Sequence, residues 1–251
     1  MSSYSYKLSL NPEYSEFEAQ LLAIRQVFDA CDTSIHKARN EIKLFQYSGA
    51  EMVIKSFKVP GGLRSFIYSY LRQSKARRSY DYSLLLGDFA PKPVGYIEFY
   101  AKGLLRDSYY VSEKFEYDHT IREPLAQKNF DRREQVFAAF AQFTYQLHEN
   151  NICHQDYSPG NILFRQLQDG YEFKVVDVNR MRFMALNLQQ RAENLCKLWA
   201  DDDDLRQIAE LYAGIMVTDA DEFVQLALQY SHKHKAGRQR KARIKKRLGL
   251  Y

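Results

Sequence analysis

Hydrophobic and polar positions change their period near the middle of the chain. Between Asn40 and Lys58 they alternate: EIKLF, a turn at Ser48-Gly49, then MVIKSF, which predicts a β-hairpin. Before it, Glu13 to Asp29 places Phe17, Leu21, Ile24 and Phe28 at helical spacing. After it, Pro60-Gly61-Gly62 breaks the chain, and Leu63 to Leu71 and Lys75 to Leu86 read as helices. A strand is expected from Pro93 through Ile97, and another over Ser108 to Ser112. The pattern then turns helical: from Arg132 to Asn150, Val136, Phe140, Phe143 and Leu147 fall on one face. Asn161 to Phe164 and Tyr171 to Val176 read as strands joined through Asp169-Gly170, and the chain from Leu186 onward as helical. A strand-rich part followed by a helix-rich part predicts an α+β fold in two lobes. The expected division is residues 1–115, residues 116–230 and a tail over residues 231–251, with a hinge near Glu113 to Tyr117.

Charge alters this picture at one end only. The chain has 251 residues and a formal net charge of +5, but residues 231–251, SHKHKAGRQRKARIKKRLGLY, hold nine of the 36 Lys and Arg and no acid. The remainder carries 27 basic against 31 acidic residues, so the body is mildly acidic and the positive charge is concentrated in the tail. Such a block is either a solvated face or a handle for an anionic partner: a membrane surface, a phosphorylated glycan or nucleic acid. The acidic body and the lack of a recognisable nucleic-acid module disfavour the last. The three cysteines, Cys31, Cys153 and Cys196, have no paired spacing, and no apolar run has signal-peptide or membrane-span length. A reduced, cytoplasmic setting is the expectation.

The chemistry is concentrated in HQDYSPGNILF, residues 154–164, which sets Asp156 and Asn161 five residues apart at the mouth of a strand. Asp177 closes the next strand, and Lys55 sits inside the apolar strand MVIKSF. Singly, each has an ordinary structural explanation as a turn, cap or edge residue. Together, in this order, they supply the four parts of phosphoryl transfer from a nucleotide. One carboxylate takes the proton of an attacking hydroxyl, a second carboxylate and an amide oxygen hold Mg²⁺, and a lysine pairs with the phosphates.

HQDYSPGNILF resembles the H-x-D-x-x-P-x-N catalytic loop of protein-kinase-like metabolite kinases. With RNEIKLF, VIKSFKVP, SKARRSYDYSLLL, APKPVGYIEFY, SYYVSEKF and VVDVNRMRF, the chain resembles the bacterial lipopolysaccharide kinase family, which includes Kdo and WaaP-type heptose kinases. The resemblance implies a protein-kinase-like fold with an antiparallel-sheet N-lobe and a mostly helical C-lobe, and use of ATP with Mg²⁺. It implies that Asp156 is the base, that Asn161 and Asp177 are metal ligands, and that Lys55 contacts phosphate. His154 would brace the loop, and Arg180 matches a family position of unassigned role. Adenine would meet the backbone of Glu113, Lys114 and Phe115. The acceptor implied is a sugar hydroxyl of lipopolysaccharide core, Kdo or heptose, or another glycan, at the inner face of the inner membrane. A basic tail near an anionic surface fits that setting, since each Lys or Arg there contributes about 1 kcal/mol.

Three departures from the kinase pattern stand out. The first glycine is Gly49, so no glycine-rich loop can cover the phosphates, and a hairpin near Ser34 to Asn40, with Lys37 and Arg39, would have to replace it. The acid expected to pair with Lys55 falls at Asp81, one methylene shorter than the usual glutamate, with Glu98 as the alternative. No A-P-E follows Asp177, which points to a small or glycan acceptor and away from a phosphorylation-switched activation loop. A protein kinase of the same fold, and a silent pseudokinase that only binds a partner or membrane, are the competing readings.

Overall fold

The computed structural model describes residues 4–31, 34–37, 40–58, 72–247 and 249. The expected helix over Leu63 to Leu71, the break at Pro60-Gly61-Gly62 and Arg39 lie outside them. The chain divides into two units, residues 1–115 with Asp177–Asn179, and residues 116–176 with 180–251.

The first unit is built on a six-stranded antiparallel sheet. Its strands are β1 (Tyr4–Leu10), β2 (Ser34–Lys37), β3 (Asn40–Tyr47), β4 (Ala50–Lys58), β5 (Pro93–Ala101) and β6 (Leu104–Glu113), in the order β1-β5-β6-β4-β3-β2. The hairpin of β3 and β4 turns at Ser48 and Gly49, both with positive φ. β1 pairs with β5 in register from Tyr4↔Ala101 to Leu10↔Gly95, a pairing across some ninety residues of chain that no local pattern announces.

One sheet face is dry. Ile54, Val94, Ile97 and Val111 pack there against Phe17, Leu21, Ile24 and Phe28, all buried. Those four residues form the predicted stripe, but they do not lie on one helix. The backbone runs through a 3₁₀ turn at Pro12–Phe17, then α1 (Glu18–Leu22), then α2 (Ile24–Ala30), with a break at Ala23. On the opposite face α3 (Lys75–Leu86), capped by the Ser74 side chain on the Arg77 N–H, lays Ala76 and Tyr80 against Phe57, Tyr96 and Tyr110. This face is rich in hydroxyls. Ser83 and Tyr110 share a 2.8 Å hydrogen bond, and burial pushes the Tyr110 phenol up to about 12.

The second unit carries the short strand β7 (His119–Thr120), the helices α4 (Arg122–Ala126) and α5 (Arg133–Glu149), and β8 (Ile152–His154). A hairpin of β9 (Ile162–Leu167) and β10 (Gly170–Val175) follows, then β11 (Met181–Phe183), α6 (Leu188–Leu195), α7 (Asp202–Met216) and α8 (Ala220–Arg247). Val136, Phe140, Phe143 and Leu147 of α5 are buried as their spacing predicts. Phe143 and Phe140 meet Phe173 of β10, so the helix backs the hairpin next to the loop.

The change of charge at residue 231 falls inside one helix. α8 is docked at first: Ser231 is buried, Lys235 donates to the Ala200 carbonyl at 2.8 Å, His232 meets Asp202, and Arg238 lies over the Trp199 ring. Its last turns, residues 239–247, are exposed on every side. Among the described residues no helix is long and apolar enough to cross a membrane.

Candidate active site

In the first unit the site is organised by a lysine on an inner strand. Lys55 lies on β4 between Ile42 of β3 and Tyr110 of β6. Its Nζ reaches Asp177 Oδ1 at 2.5 Å, with the lysine side chain only 14% exposed. Asp177 has φ 57°, the left-handed region that a non-glycine residue adopts at a cost of about 1 kcal/mol or more. Side-chain contacts hold it there. Besides Lys55, the Asn179 amide donates to the same carboxylate oxygen at 2.7 Å, and Arg78 of α3 donates to the Asn179 carbonyl at 3.0 Å.

Helix α3 thus supports the lysine–aspartate pair through Arg78, and the expectation for Asp81 is corrected. Asp81 pairs with Arg77 one turn back at 3.5 Å, and the carboxylate on Lys55 is that of Asp177. Glu98 is not the partner either: it is buried and accepts from the Tyr100 hydroxyl at 2.7 Å. The signal for Arg78 was available in retrospect, as an arginine among Ala76, Ser79, Tyr80 and Ser83 on the buried face of the helix.

At the end of β6 the backbone is largely committed. The Glu113 N–H donates to the Lys92 carbonyl and the Lys114 N–H to the Glu51 carbonyl, each at 2.9 Å. Tyr14 donates to the Glu113 carboxylate, and Lys114 pairs with Glu51. A base meeting this segment therefore cannot be read by the Glu113 and Lys114 N–H groups while the sheet is intact. β2 and β3 do form an antiparallel pair, with Ser34 opposite Lys43, where a phosphate-covering hairpin was expected.

In the second unit the loop between β8 and β9 is fixed by neutral hydrogen bonds. The Asp156 carbonyl accepts from the Ser158 N–H at 2.7 Å and from the Asn161 side-chain amide at 2.9 Å, while the Asn161 carbonyl accepts from the Val176 N–H. With its amide nitrogen so committed, Asn161 presents Oδ1 as its remaining polar atom. Tyr157, fully buried within the polar stretch, donates to Thr144, whose own hydroxyl donates to the Phe140 carbonyl. The Asp156 side chain is 43% exposed and, among the described residues, pairs only with Arg180, at 3.6 Å.

His154 is tied at both ring nitrogens. The Asp156 N–H donates to Nδ1, so the ring proton sits on Nε2 and is donated to the Val176 carbonyl at 3.0 Å. A ring held as this neutral tautomer positions the loop and carries no proton in or out. Behind it runs a buried chain of the same kind. The Asn194 amide donates to the His154 carbonyl at 2.9 Å, which turns Asn194 Oδ1 toward His148 Nε2–H, and His148 Nδ1 accepts from the Tyr212 hydroxyl at 2.8 Å. Desolvation holds the His148 imidazole down to about 4, so it stays neutral, while burial pushes Tyr212 up to about 12. Sequence reasoning missed Asn194, His148 and Tyr212, whose roles come from tertiary contacts between α5, α6 and α7.

The donors suit a hard cation. Within the first unit Asp177 offers a carboxylate oxygen, and within the second Asn161 offers an amide oxygen, both of the oxygen type that Mg²⁺ takes. Among the described residues no three His, Cys, Asp or Glu group so as to hold a metal ion.

Residues 86–221 match the family described as "Lipopolysaccharide kinase (Kdo/WaaP) family". Over 144 residues the chain is 31% identical to the 3-deoxy-D-manno-octulosonic acid kinase of Pasteurella multocida (strain Pm70), a stretch covering 55% of this chain and 58% of that protein. The chain thus spans little more than half the length of this curated relative. Among solved structures it is similar to WaaP in complex with acyl carrier protein, with a TM-score of 0.57 and 15% identity, covering 92% of this chain and 98% of that one. That likeness shows the protein-kinase-like fold, in which an antiparallel sheet and a helical part are combined. The matched family residues include Asp156, Asn161 and Asp177, while Lys55 lies upstream of them. The chain belongs to the lipopolysaccharide kinase (Kdo/WaaP) family.

Proposed function

We propose that the chain transfers the γ-phosphate of ATP to a sugar hydroxyl of lipopolysaccharide core, on Kdo or heptose, or on its precursor. The observation that carries this reading is the loop of the second unit. It presents the Asp156 carboxylate and the Asn161 amide oxygen on a backbone locked by His154 and Tyr157. Asp156 takes the proton of the attacking hydroxyl as the acceptor oxygen bonds to the γ-phosphorus and the bond to the bridging oxygen breaks, releasing ADP. Asp177 and Asn161 would hold Mg²⁺, which neutralises phosphate charge when bound. Lys55, its Nζ already oriented by Asp177, pairs with phosphate oxygens.

The acceptor is part of an anionic glycolipid, so the work is placed at the cytoplasmic face of the inner membrane. The exposed cationic end of α8 supports that placement, because like charges at Lys241 and Lys245 and at Arg243 and Arg247 disfavour the bare helix and an anionic surface relieves them. The test is transfer of labelled γ-phosphate from Mg-ATP to purified core glycolipid, with Asp156→Asn alongside. Transfer lost in the variant is the expected result. A wild-type chain that binds Mg-ATP and leaves the glycolipid unlabelled overturns the acceptor assignment. One that binds no nucleotide overturns the kinase reading.

A further inference from the structure

Two guanidinium groups flank the loop of the second unit, and the transfer chemistry above uses neither. Arg180 ends the 3₁₀ turn at Val178–Arg180. Its carbonyl accepts from the Gln155 N–H at 2.8 Å, which anchors its backbone beside the loop, and its side chain is 61% exposed. The guanidinium meets Asp156 Oδ2 at 3.6 Å through one nitrogen. An exposed, single-contact pair of that length adds little to stability, so its location cannot be explained as a structural clamp. Arg122 opens α4 and is exposed. Its guanidinium lies against Gly160, in the space that a Cβ at that position would take. Among the described residues it has no hydrogen-bond or ion-pair partner in the protein.

Position decides what these groups serve. On the reading that Asp156 is the base, the reacting hydroxyl of the acceptor lies at its carboxylate, and a cation 3.6 Å from that carboxylate lies beside the acceptor. A planar fork of donors next to a sugar suits a carboxylate on that sugar. The nucleotide phosphates have their own cation in Lys55. We infer that Arg122 and Arg180 form a binding site for an acid group on the acceptor sugar. This inference rests on the proposed function and narrows it, selecting a sugar acid over a neutral heptose. Gly160 belongs to the site because only a glycine leaves Arg122 its seat over the loop.

The experiment compares two acceptors: the methyl glycoside of 3-deoxy-D-manno-octulosonic acid, and the same compound with its carboxylate converted to the methyl ester. For the wild-type chain the ester should lose about 10- to 100-fold in kcat/KM, as expected for removing charge-assisted hydrogen bonds. In Arg122→Gln/Arg180→Gln the KM for the acid should rise by a similar factor, the ester should be little affected, and the preference between them should vanish. Gly160→Ala, which keeps both arginines and takes an ordinary backbone conformation, should displace Arg122 and lose part of the preference. An equal fall of kcat for acid and ester would assign the arginines to the transferring phosphoryl group and overturn the inference, as would an unchanged preference. Equilibrium binding of the acid glycoside, followed by ligand-observed NMR, separates the two levels. If the wild-type chain phosphorylates neither compound, the proposed function fails. Binding of the acid that is lost in the double variant then still supports the arginine site, and equal binding by both proteins overturns it.

Discussion

The two units secure their functional residues by opposite means. In the first, charge holds charge: Asp177 sits in a left-handed conformation because the Lys55 ammonium and the Asn179 amide converge on one of its oxygens, with Arg78 behind them. In the second, the exposed Asp156 stands on a scaffold of neutral groups, His154, Asn194, His148, Tyr157 and Thr144, all buried and hydrogen-bonded. The first arrangement holds an oriented ammonium, which on the proposed reading meets phosphate. The second leaves its carboxylate exposed and weakly paired, open to the hydroxyl it would meet on the proposed reading. The contrast also says where each should fail: the first by loss of a partner charge, the second by loss of a functional atom or by protonation of its scaffold.

The largest effect should come from Asp156→Asn. Turnover should fall about 10²- to 10⁴-fold, with melting temperature and nucleotide affinity nearly unchanged because the side chain is exposed and singly paired. A melt shifted by many degrees would show that the loop depends on charge after all.

Next in size is a pH effect. His148 titrates near the ordinary histidine value when unfolded and at about 4 when folded, so between those limits the unfolded chain binds the extra proton. The corresponding stability is fully present above pH 6.5 and is lost progressively as the pH falls toward 4, about 3 kcal/mol in all. Urea unfolding at pH 7 and pH 5 should show the fall, and His148→Gln should flatten it. The same slope in the variant would move the effect to another group.

Lys55→Met should weaken Mg-ATP binding about 10-fold or more through loss of a charge-assisted contact, measured by calorimetry, with Lys55→Arg failing to restore it because a planar fork does not replace a point charge. The smallest effect belongs to Asp81→Ala. Asp81 forms only an exposed i,i+4 pair with Arg77, so stability should change by about 0.5 kcal/mol or less and nucleotide affinity not at all. If Asp81→Ala weakened nucleotide binding as strongly as Lys55→Met, the account of how the first unit holds its lysine would be wrong.

Much of this was legible from local pattern. The β3–β4 hairpin, α5 and the loop ending at Asn161 follow from alternation, helical spacing and turn residues, signals that act within a dozen positions. Lys55 stood out because a charge interrupts an apolar strand. What could not be read depends on distant residues. β1 is set by its pairing with β5. The stripe from Phe17 to Phe28 faces the sheet as spaced, yet the backbone breaks at Ala23, since burial constrains side-chain direction more than helix continuity. Asp81 fits the kinase pattern, which puts the lysine's partner on the helix, whereas the partner in this fold is Asp177, 122 residues along the chain from Lys55. The neutral scaffold was invisible for the same reason: Asn194 and His148 acquire meaning only from each other.

One feature of α8 gives the molecule an optical signal of its own. Trp199 is the chain's single tryptophan. It is 41% exposed, with the His234 ring edge-on at 4.8 Å and the Arg238 guanidinium over its face at 5.1 Å. Indole emission responds to neighbouring cations, so it will report, without any label, when an anion draws Arg238 away or when His234 takes up a proton.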